Sequence, residues 1–353
     1  MERHNNFDAL RLIAAVTVIF SHSFLLSQGR QDNEPLMWLS GGQAVLGVVG
    51  VFVFFVISGF LVTQSFETTG SPPRYLAKRA LRIYPGYAVC LLLCTFALGP
   101  VFTALPLGAY VTSPGTWDFL VSNLAMNVEH NSLPGLRFTA LDIGHIVDGP
   151  LWSLPCEMVM YLLVLALGML RLLRLSLLLP LLALGLVCIW LDTAQSAWFI
   201  GSVGWLLGFF VAGMILHKLR EAPWLFDRRL VLLALAGLAA SVPLHLMILL
   251  FPLFGAYLVI ALARTTRLPV IPAARFGDLS YGLYIYGWPV QQTLLHLTGG
   301  LAWWQLFPAA LAVAAVLAWL SWHLVEQPAL RLKPRSRPLA APALAAPELA
   351  SSG

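Results

Sequence analysis

Two residues capable of proton transfer or of holding an anion lie in the first apolar segment of the chain. The run from Phe7 to Leu26 is long enough for a helix that crosses a bilayer, and it carries Arg11 and His22. Positions 11 and 22 are about three helical turns apart, so both side chains share one face at a separation of roughly 16 Å. Ionisable residues inside membrane helices are unfavourable and often mark functional sites. The alternative is a snorkelling arginine and a hydrogen-bonded structural histidine.

A second candidate base occurs in the fourth apolar segment. Glu157 lies several residues into GPLWSLPCEMVMY, which also carries Trp152, and Tyr161 follows one helical turn later on the same face. A carboxylate within a membrane helix is paired, hydrogen-bonded or neutral. We therefore predict that Glu157 is paired, hydrogen-bonded or neutral, with Tyr161 beside it on the same helix face.

A group of basic residues precedes the third apolar segment, in RYLAKRALRIYP at residues 74–85. Arg79 and Arg82 are neighbours on a helix face, because residues three apart lie on the same side of a helix. Two guanidinium groups suit phosphates, since each offers a planar pair of donors. The alternative is a basic loop that only sets topology, which explains Arg74 and Lys78 better than it explains Arg82 at the mouth of a span.

Further polar and aromatic residues occur inside apolar runs. Ser58, in GVVGVFVFFVISGFLVTQS, can hydrogen-bond across helices, whereas the glycines around it are interpreted as packing residues. Tyr281, Tyr284 and Trp288 form one stripe in GDLSYGLYIYGWPVQQ, a pattern more typical of packing or of an interface belt than of a ligand site. At the end of the last run, Glu326 could pair with an inner arginine, and this structural role is favoured over catalysis.

The composition is that of a polytopic membrane protein. Of the 353 residues, 59% are hydrophobic and 10% are charged, against about 25% charged in soluble globular chains. The formal net charge of +5 is interpreted as a topology signal, not as nucleic-acid binding. The four cysteines lie in apolar runs without the spacing of a metal site, so we predict packing thiols and no bound metal.

Ten apolar runs of approximately spanning length predict an all-α bundle of about ten transmembrane helices, at residues 9–28, 44–64, 83–103, 150–170, 175–191, 197–216, 230–244, 246–263, 278–298 and 302–325. With the N-terminus in the cytoplasm, all 21 Lys and Arg residues except Arg30 and Arg137 fall on the inner side, which favours an N-in, C-in topology. Residues 1–330 are predicted to form one membrane-embedded domain and residues 331–353 a disordered tail. The long outer segment 104–149 could form a lid or part of an acceptor site.

Several of these segments, in this order, resemble the acyltransferase-3 family of integral-membrane O-acyltransferases. The matching pieces are FDALR with an Arg-x10-His spacing, FFVISGF, Arg-x2-Arg-Ile-Tyr-Pro, LWSLPCE, LSYGLYIY and the closing VEQP, across residues 7–330. Members of this family transfer acetyl or other acyl groups to sugars in O-antigens, exopolysaccharides, nodulation factors and antibiotics. The resemblance implies an acyltransferase whose donor is acetyl-CoA or another acyl-CoA.

The resemblance also implies roles for individual residues. His22 would be the catalytic histidine, Arg11 its functional partner and Glu157 a further member of the site, while Arg79 and Arg82 would serve the acyl-CoA. On the substrate side we expect five residues: Ser58, Trp152, Tyr161, Tyr281 and Tyr284. Two positions depart from the family pattern: Phe52 stands where many members have an acidic residue, and Gly287 stands where many have a histidine.

The resemblance therefore implies a bacterial inner-membrane enzyme that moves an acyl group, expected to be acetyl, from cytoplasmic acyl-CoA to a hydroxyl of a glycan or glycolipid. Its expected partners are membrane lipid, the donor, the glycan acceptor and a separate protein in place of the SGNH-type domain fused to many relatives, but no nucleic acid. The alternative is a secondary transporter or flippase for a glycolipid or small anion, since buried Arg, His and Glu also serve transport. Against it, the chain shows no internal inverted repeat.

Overall fold

A computed structural model describes residues 6–192, 198–265 and 277–333 of the chain. Within these ranges the chain is all-helical, as predicted, and the one β-type contact is an isolated bridge between Thr103 and Leu136. Of the predicted disordered tail, everything after Lys333 lies outside the described residues.

Ten main helices in the described ranges overlap the ten predicted apolar runs, although the eighth run, 246–263, is divided between a short helix at Met247–Leu250 and a helix that begins at Phe254. They are α1 (Phe7–Gln28), α2 (Leu46–Thr69), α3 (Pro72–Phe102), α4 (Ser153–Met169), α5 (Leu175–Trp190), α6 (Trp198–Lys218), α7 (Arg228–Ser241), α8 (Phe254–Arg264), α9 (Ser280–Thr298) and α10 (Trp303–Arg331). Both α3 and α10 contain a π-helical turn, at Cys94–Leu98 and Trp322–Glu326 respectively.

Six helices in the described part of the chain are long and apolar enough to cross a membrane. They are α1, α2, α3, α6, α10, and α4 together with the 3₁₀ turn Gly149–Trp152 before it. Helices α5 and α8 are apolar but shorter. The chain is thus a multi-pass membrane protein, whereas ten crossings and the N-in, C-in orientation stay predictions.

Helix α2 approaches its neighbours closely because glycines leave room for their backbones. A Cβ atom on Gly59 would lie 2.0 Å from the carbonyl oxygen of Phe210 in α6. A Cβ on Gly50 would lie 2.8 Å from the carbonyl oxygen of Ala14 in α1. Between these contacts the ring of Phe52 stacks on Phe209 with centroids 3.8 Å apart, so this departure from the family pattern is an apolar packing residue.

The segment 104–149, which is predicted to face outward, is folded against the end of α9. It contains the short helices Leu107–Thr112 and Pro114–Leu124 and a 3₁₀ turn at Asp142–His145. The indole nitrogen of Trp288 donates to the carbonyl of Ile146 at 3.1 Å, and the Gln292 amide donates to the same carbonyl at 3.2 Å. The segment therefore covers the end of α9 that lies opposite to Asp278.

Candidate active site

A cavity of about 500 Å³ lies where α1 and α3 begin and where α2 and α10 end. We call it the basic cavity. Its polar lining comes from several helices and consists of Asp8, Arg11, Ser58, Gln64, Ser65, Thr68, Arg79, Arg82, Tyr161, Asp278 and Lys333. Because Arg11 and Lys333 line the same space, the start of α1 and the end of α10 lie at one end of the bundle.

Four cationic side chains face two carboxylates in the basic cavity. Arg82 forms an ion pair with Asp278, and Arg11 approaches the same carboxylate oxygen at 3.9 Å. Arg79 is held more loosely, because its Nη2 donates to Ser65 Oγ at 3.3 Å and its guanidinium lies 5.7 Å from the centre of the Tyr161 ring. The Nε of Arg79 is buried and has no hydrogen-bond partner among the described residues. The cavity thus keeps an excess of positive charge and a spare buried donor, which suits an anionic ligand.

A much smaller cavity, of about 30 Å³, adjoins the basic cavity. We call it the small cavity, and it is lined by Arg11, Val51, Phe54, Phe55, Ser153, Leu154, Glu157, Tyr281 and Tyr284. Arg11 lines both spaces. Hydrogen bonds also connect the linings of the two cavities. Ser58 and Tyr161, which line the basic cavity, donate to the same oxygen of Glu157, which lines the small cavity, at 2.8 and 2.6 Å.

His22 lies at a third level, beyond the small cavity. Its ring meets the ring of Trp288 edge-on, with centroids 4.9 Å apart. The imidazole is partly buried, lines neither cavity and has no hydrogen-bond partner within the described ranges. The residues just before and within α9 meet the three levels in chain order. Asp278 lines the basic cavity, Tyr281 and Tyr284 line the small cavity, and Trp288 contacts His22. The three levels therefore follow one another along one helix.

The structure brings most of the predicted site residues together, and their roles stay predictions. Eight of the predicted residues line the basic cavity, the small cavity or both: Arg11, Ser58, Arg79, Arg82, Glu157, Tyr161, Tyr281 and Tyr284. The hydroxyls of the two α9 tyrosines serve the fold, because Tyr281 donates to the carbonyl of Ile83 and Tyr284 to that of Pro150. Trp152 lines neither cavity and packs against the main apolar core.

The close carboxylate partner of Arg82 is not Glu326. In the described part of the chain Glu326 forms no ion pair within 4.0 Å and accepts a hydrogen bond from Ser321 at 2.9 Å, although its charge still acts on Arg82. Asp278 takes that place and pairs with Arg82 instead. Asp278 is a site residue that the sequence did not predict, although GDLSYGLYIY carries it one turn before Tyr281.

One further departure from the family pattern has a simple structural explanation. Gly287, in place of a histidine, packs against α1, because a Cβ there would lie 2.8 Å from Cγ1 of Ile19. Among the described residues, no group of three or more His, Cys, Asp or Glu side chains is arranged to hold a metal ion.

Comparison with known proteins gives a consistent result. The family model of the acyltransferase-3 type, described as an acyltransferase domain, matches residues 4–323. An O-acetyl transferase of Shigella phage Sf6 is 28% identical over 353 residues, covering 96% of this chain and 98% of the relative. Nodulation protein 10 of Rhizobium leguminosarum bv. viciae is 29% identical, covering 93% and 94% of the two chains. Acyltransferase MdmB of Streptomyces mycarofaciens is 28% identical, covering 95% and 94%. No solved structure matches the chain.

Proposed function

The chain belongs to the acyltransferase-3 family and is a membrane O-acyltransferase, and we propose that it moves an acetyl group from cytoplasmic acetyl-CoA to a hydroxyl of a glycan or glycolipid. The observation that carries this proposal is the basic cavity with its spare Arg79 donor, joined through Arg11 to the small cavity. A large polar space for the charged part of a donor thus opens onto a narrow one inside the bundle.

The basic cavity fits the phosphates of coenzyme A in both charge and size. Its volume of about 500 Å³ lies in the range of small-molecule sites, roughly 300–1,000 Å³. Arg79 and Arg82 offer planar donor pairs, which match phosphate oxygens better than an ammonium group does. Phosphates do not enter the hydrocarbon of the membrane, so this cavity belongs on the side where acyl-CoA is made.

The orientation that follows is N-in and C-in, within a bacterial inner membrane. Two observations support it: nearly all basic residues fall on one side of the predicted topology, and Arg11 and Lys333 line one cavity. Reporter fusions at residue 130 should then read outside, and fusions at 72, 222 and 340 should read inside. An external signal at 340 would contradict the orientation and the even number of crossings.

In the proposed reaction His22 acts as general base. Its imidazole has no hydrogen-bond partner in the described residues, so a ring nitrogen of the neutral form is available to take the proton of the acceptor hydroxyl. The hydroxyl oxygen forms a bond to the thioester carbonyl carbon, the bond from that carbon to sulfur breaks, and the departing thiolate of coenzyme A takes up a proton. Glu157 accepts hydrogen bonds from Ser58 and Tyr161 and so holds the wall between the two cavities in place beside Arg11.

The acceptor is best identified in the cells that carry the gene. Mass spectrometry of surface glycans should show acetyl groups that disappear when the gene is deleted and return with the wild-type gene. Membranes containing the protein should transfer label from radioactive acetyl-CoA to the same glycan. Glycans that are unchanged by the deletion, together with substrate flux across vesicles in the absence of any acyl donor, would favour a flippase instead.

A further inference from the structure

The small cavity has walls that are mostly apolar. Val51, Phe54 and Phe55 of α2 and Leu154 of α4 contribute aliphatic and aromatic surface, and the rings of Tyr281 and Tyr284 close the side formed by α9. The polar atoms around it are largely occupied. Ser153 and Tyr284 share a hydrogen bond of 2.6 Å, and Glu157 accepts from Ser58 and Tyr161. Such a space suits a short apolar group better than a charged or strongly hydrated one.

The position of this cavity matches the reactive end of a donor. Its mouth towards the basic cavity is bordered by Arg11, which lines both spaces. On the far side, Tyr284 lines the cavity, and Trp288, one helical turn further along α9, contacts His22. A donor whose phosphates lie in the basic cavity therefore brings its acyl end to the small cavity, one helical turn short of the imidazole.

We propose that the small cavity is the acyl subsite of the donor and that Phe54 sets the upper limit on acyl length. This inference rests on the proposed function, because it assigns a subsite to the same donor. Phe54 forms the decisive wall: its ring lies 5.8 Å from the Arg11 guanidinium and meets Tyr284 edge-on at 5.6 Å. The Phe54 ring thus lies between the Arg11 guanidinium at the mouth and the Tyr284 ring at the far side.

The volume of the cavity selects a short acyl group. A cavity volume of about 30 Å³ holds roughly two groups the size of a water molecule or a methyl. The two carbons of an acetyl group fit this space, whereas butyryl adds two methylenes that meet Phe54 and Phe55. One methylene too many in a shaped apolar pocket changes a rate by about 10–200-fold.

The test compares acyl donors in membranes that already contain the acceptor. Inverted membrane vesicles carrying the full chain receive radiolabelled acetyl-CoA or butyryl-CoA, and the initial rate of label transfer to glycan is measured for each. We expect the wild type to use butyryl-CoA at least about tenfold more slowly. Phe54→Ala should raise the butyryl-to-acetyl rate ratio by about tenfold or more, and the milder Val51→Ala should raise it less. The ratio is independent of the amount of folded protein, because both rates come from one preparation.

Phe66→Ala is the matched control. Phe66 lies on the same helix, is partly buried like Phe54 and packs on Tyr75, but lines neither cavity. Its variant should keep the wild-type ratio. If Phe54→Ala is inactive, the butyryl-to-acetyl rate ratio of Val51→Ala decides whether the small cavity is the acyl subsite. A wild type that transfers both groups equally well, or a ratio unchanged in every active cavity variant, would overturn the subsite. Failure of the proposed function looks different, since the wild type would then transfer label from neither donor.

Discussion

The basic cavity and the surroundings of His22 are built on opposite principles. The basic cavity is wide and polar, and two of its cations are held loosely: Arg11 approaches Asp278 at 3.9 Å and Arg79 donates to Ser65 at 3.3 Å. The imidazole of His22 lies at the other end of α1, against a single indole ring, without a hydrogen-bond partner in the described residues. The basic cavity concentrates charged side chains, whereas the surroundings of His22 contain one titratable side chain apart from them.

This difference separates the two tasks of a transferase in a membrane. Recognition of a polyanion needs many donors and access to water, since phosphates remain partly hydrated. A general base needs the neutral imidazole and a free lone pair, which apolar surroundings favour. Damage to the basic cavity should therefore weaken donor binding, while damage at His22 should slow the chemical step and leave donor binding intact.

The largest effect is expected at His22. His22→Ala should lower the transfer rate by about 10²–10⁴-fold, the usual range for the loss of a general base. His22→Gln keeps the approximate size but cannot take a proton at neutral pH, so it should fail nearly as badly. The measurement is acetyl transfer per folded molecule, with acetyl-CoA affinity determined in parallel and expected to stay at the wild-type value.

His296→Gln provides the matched control for this variant. His296 also lies in the outer half of the predicted topology, where its Nδ1 is 3.1 Å from the carbonyl oxygen of Phe138, and it lines neither cavity. That variant should retain transfer. Near-wild-type turnover by His22→Gln would instead show that His22 has a structural role, and Glu157 would become the next candidate base.

A smaller effect, on binding alone, is expected from the arginines of α3. Arg79→Lys keeps the charge but loses the planar donor pair and the unpartnered Nε. A hydrogen bond to a charged group contributes about 1.5–3 kcal/mol, so the dissociation constant of acetyl-CoA should rise about 10- to 100-fold. Equilibrium binding to the purified chain in lipid nanodiscs measures this directly.

Arg74→Lys separates the donor site from a general effect of basic residues on α3. Arg74 belongs to the same helix but does not line the basic cavity. Acetyl-CoA should bind this variant as it binds the wild type. Equal losses in Arg74→Lys and Arg79→Lys would mean that the planar donors of the cavity are not what recognises the donor.

The positions of the helices followed from the sequence because long apolar runs leave few alternatives in a membrane. Local pairs were predictable for a similar reason. Glu157 and Tyr161 are one turn apart on α4 and do hydrogen-bond, and Ser58 bonds across helices to the same carboxylate. These contacts depend on helical periodicity and on the small number of polar groups in the bundle.

The partner of Arg82 was not predictable on these grounds. Both Glu326 and Asp278 lie near the predicted inner end of a helix, and helical periodicity ranks neither above the other as a partner of Arg82. The choice depends on tertiary packing: Glu326 lies in the π-helical turn of α10 and accepts from Ser321, while Asp278 lies between Arg82 and Arg11. The separation of His22 from both cavities is likewise a property of helix packing. The sequence places Arg11 and His22 on one face of α1, but it does not show where the neighbouring helices leave a cavity along that face.

The smallest predicted effect concerns Lys333, at the edge of the basic cavity. Burial, followed by the nearby Arg82, Arg79 and Lys78 charges, lowers the pKa of Lys333 to about 8. The ammonium form is therefore present at pH 7 and mostly lost by pH 9, while the donor phosphates, with a second pKa near 6, stay ionised throughout. One partly exposed charge contact contributes about 0.2–1 kcal/mol, so acetyl-CoA affinity should fall by about two- to fivefold between pH 7 and pH 9.

Two variants of Lys333 decide whether this pH dependence belongs to that residue. Lys333→Arg keeps its charge at pH 9, so its acetyl-CoA affinity should stay flat across the range. Lys333→Met has no charge at either pH, and it should show the weaker affinity already at pH 7. A pH-dependent fall in affinity that persists in both variants would assign the effect to another group. That result would remove Lys333 from the donor site while leaving Arg79 and Arg82 in it.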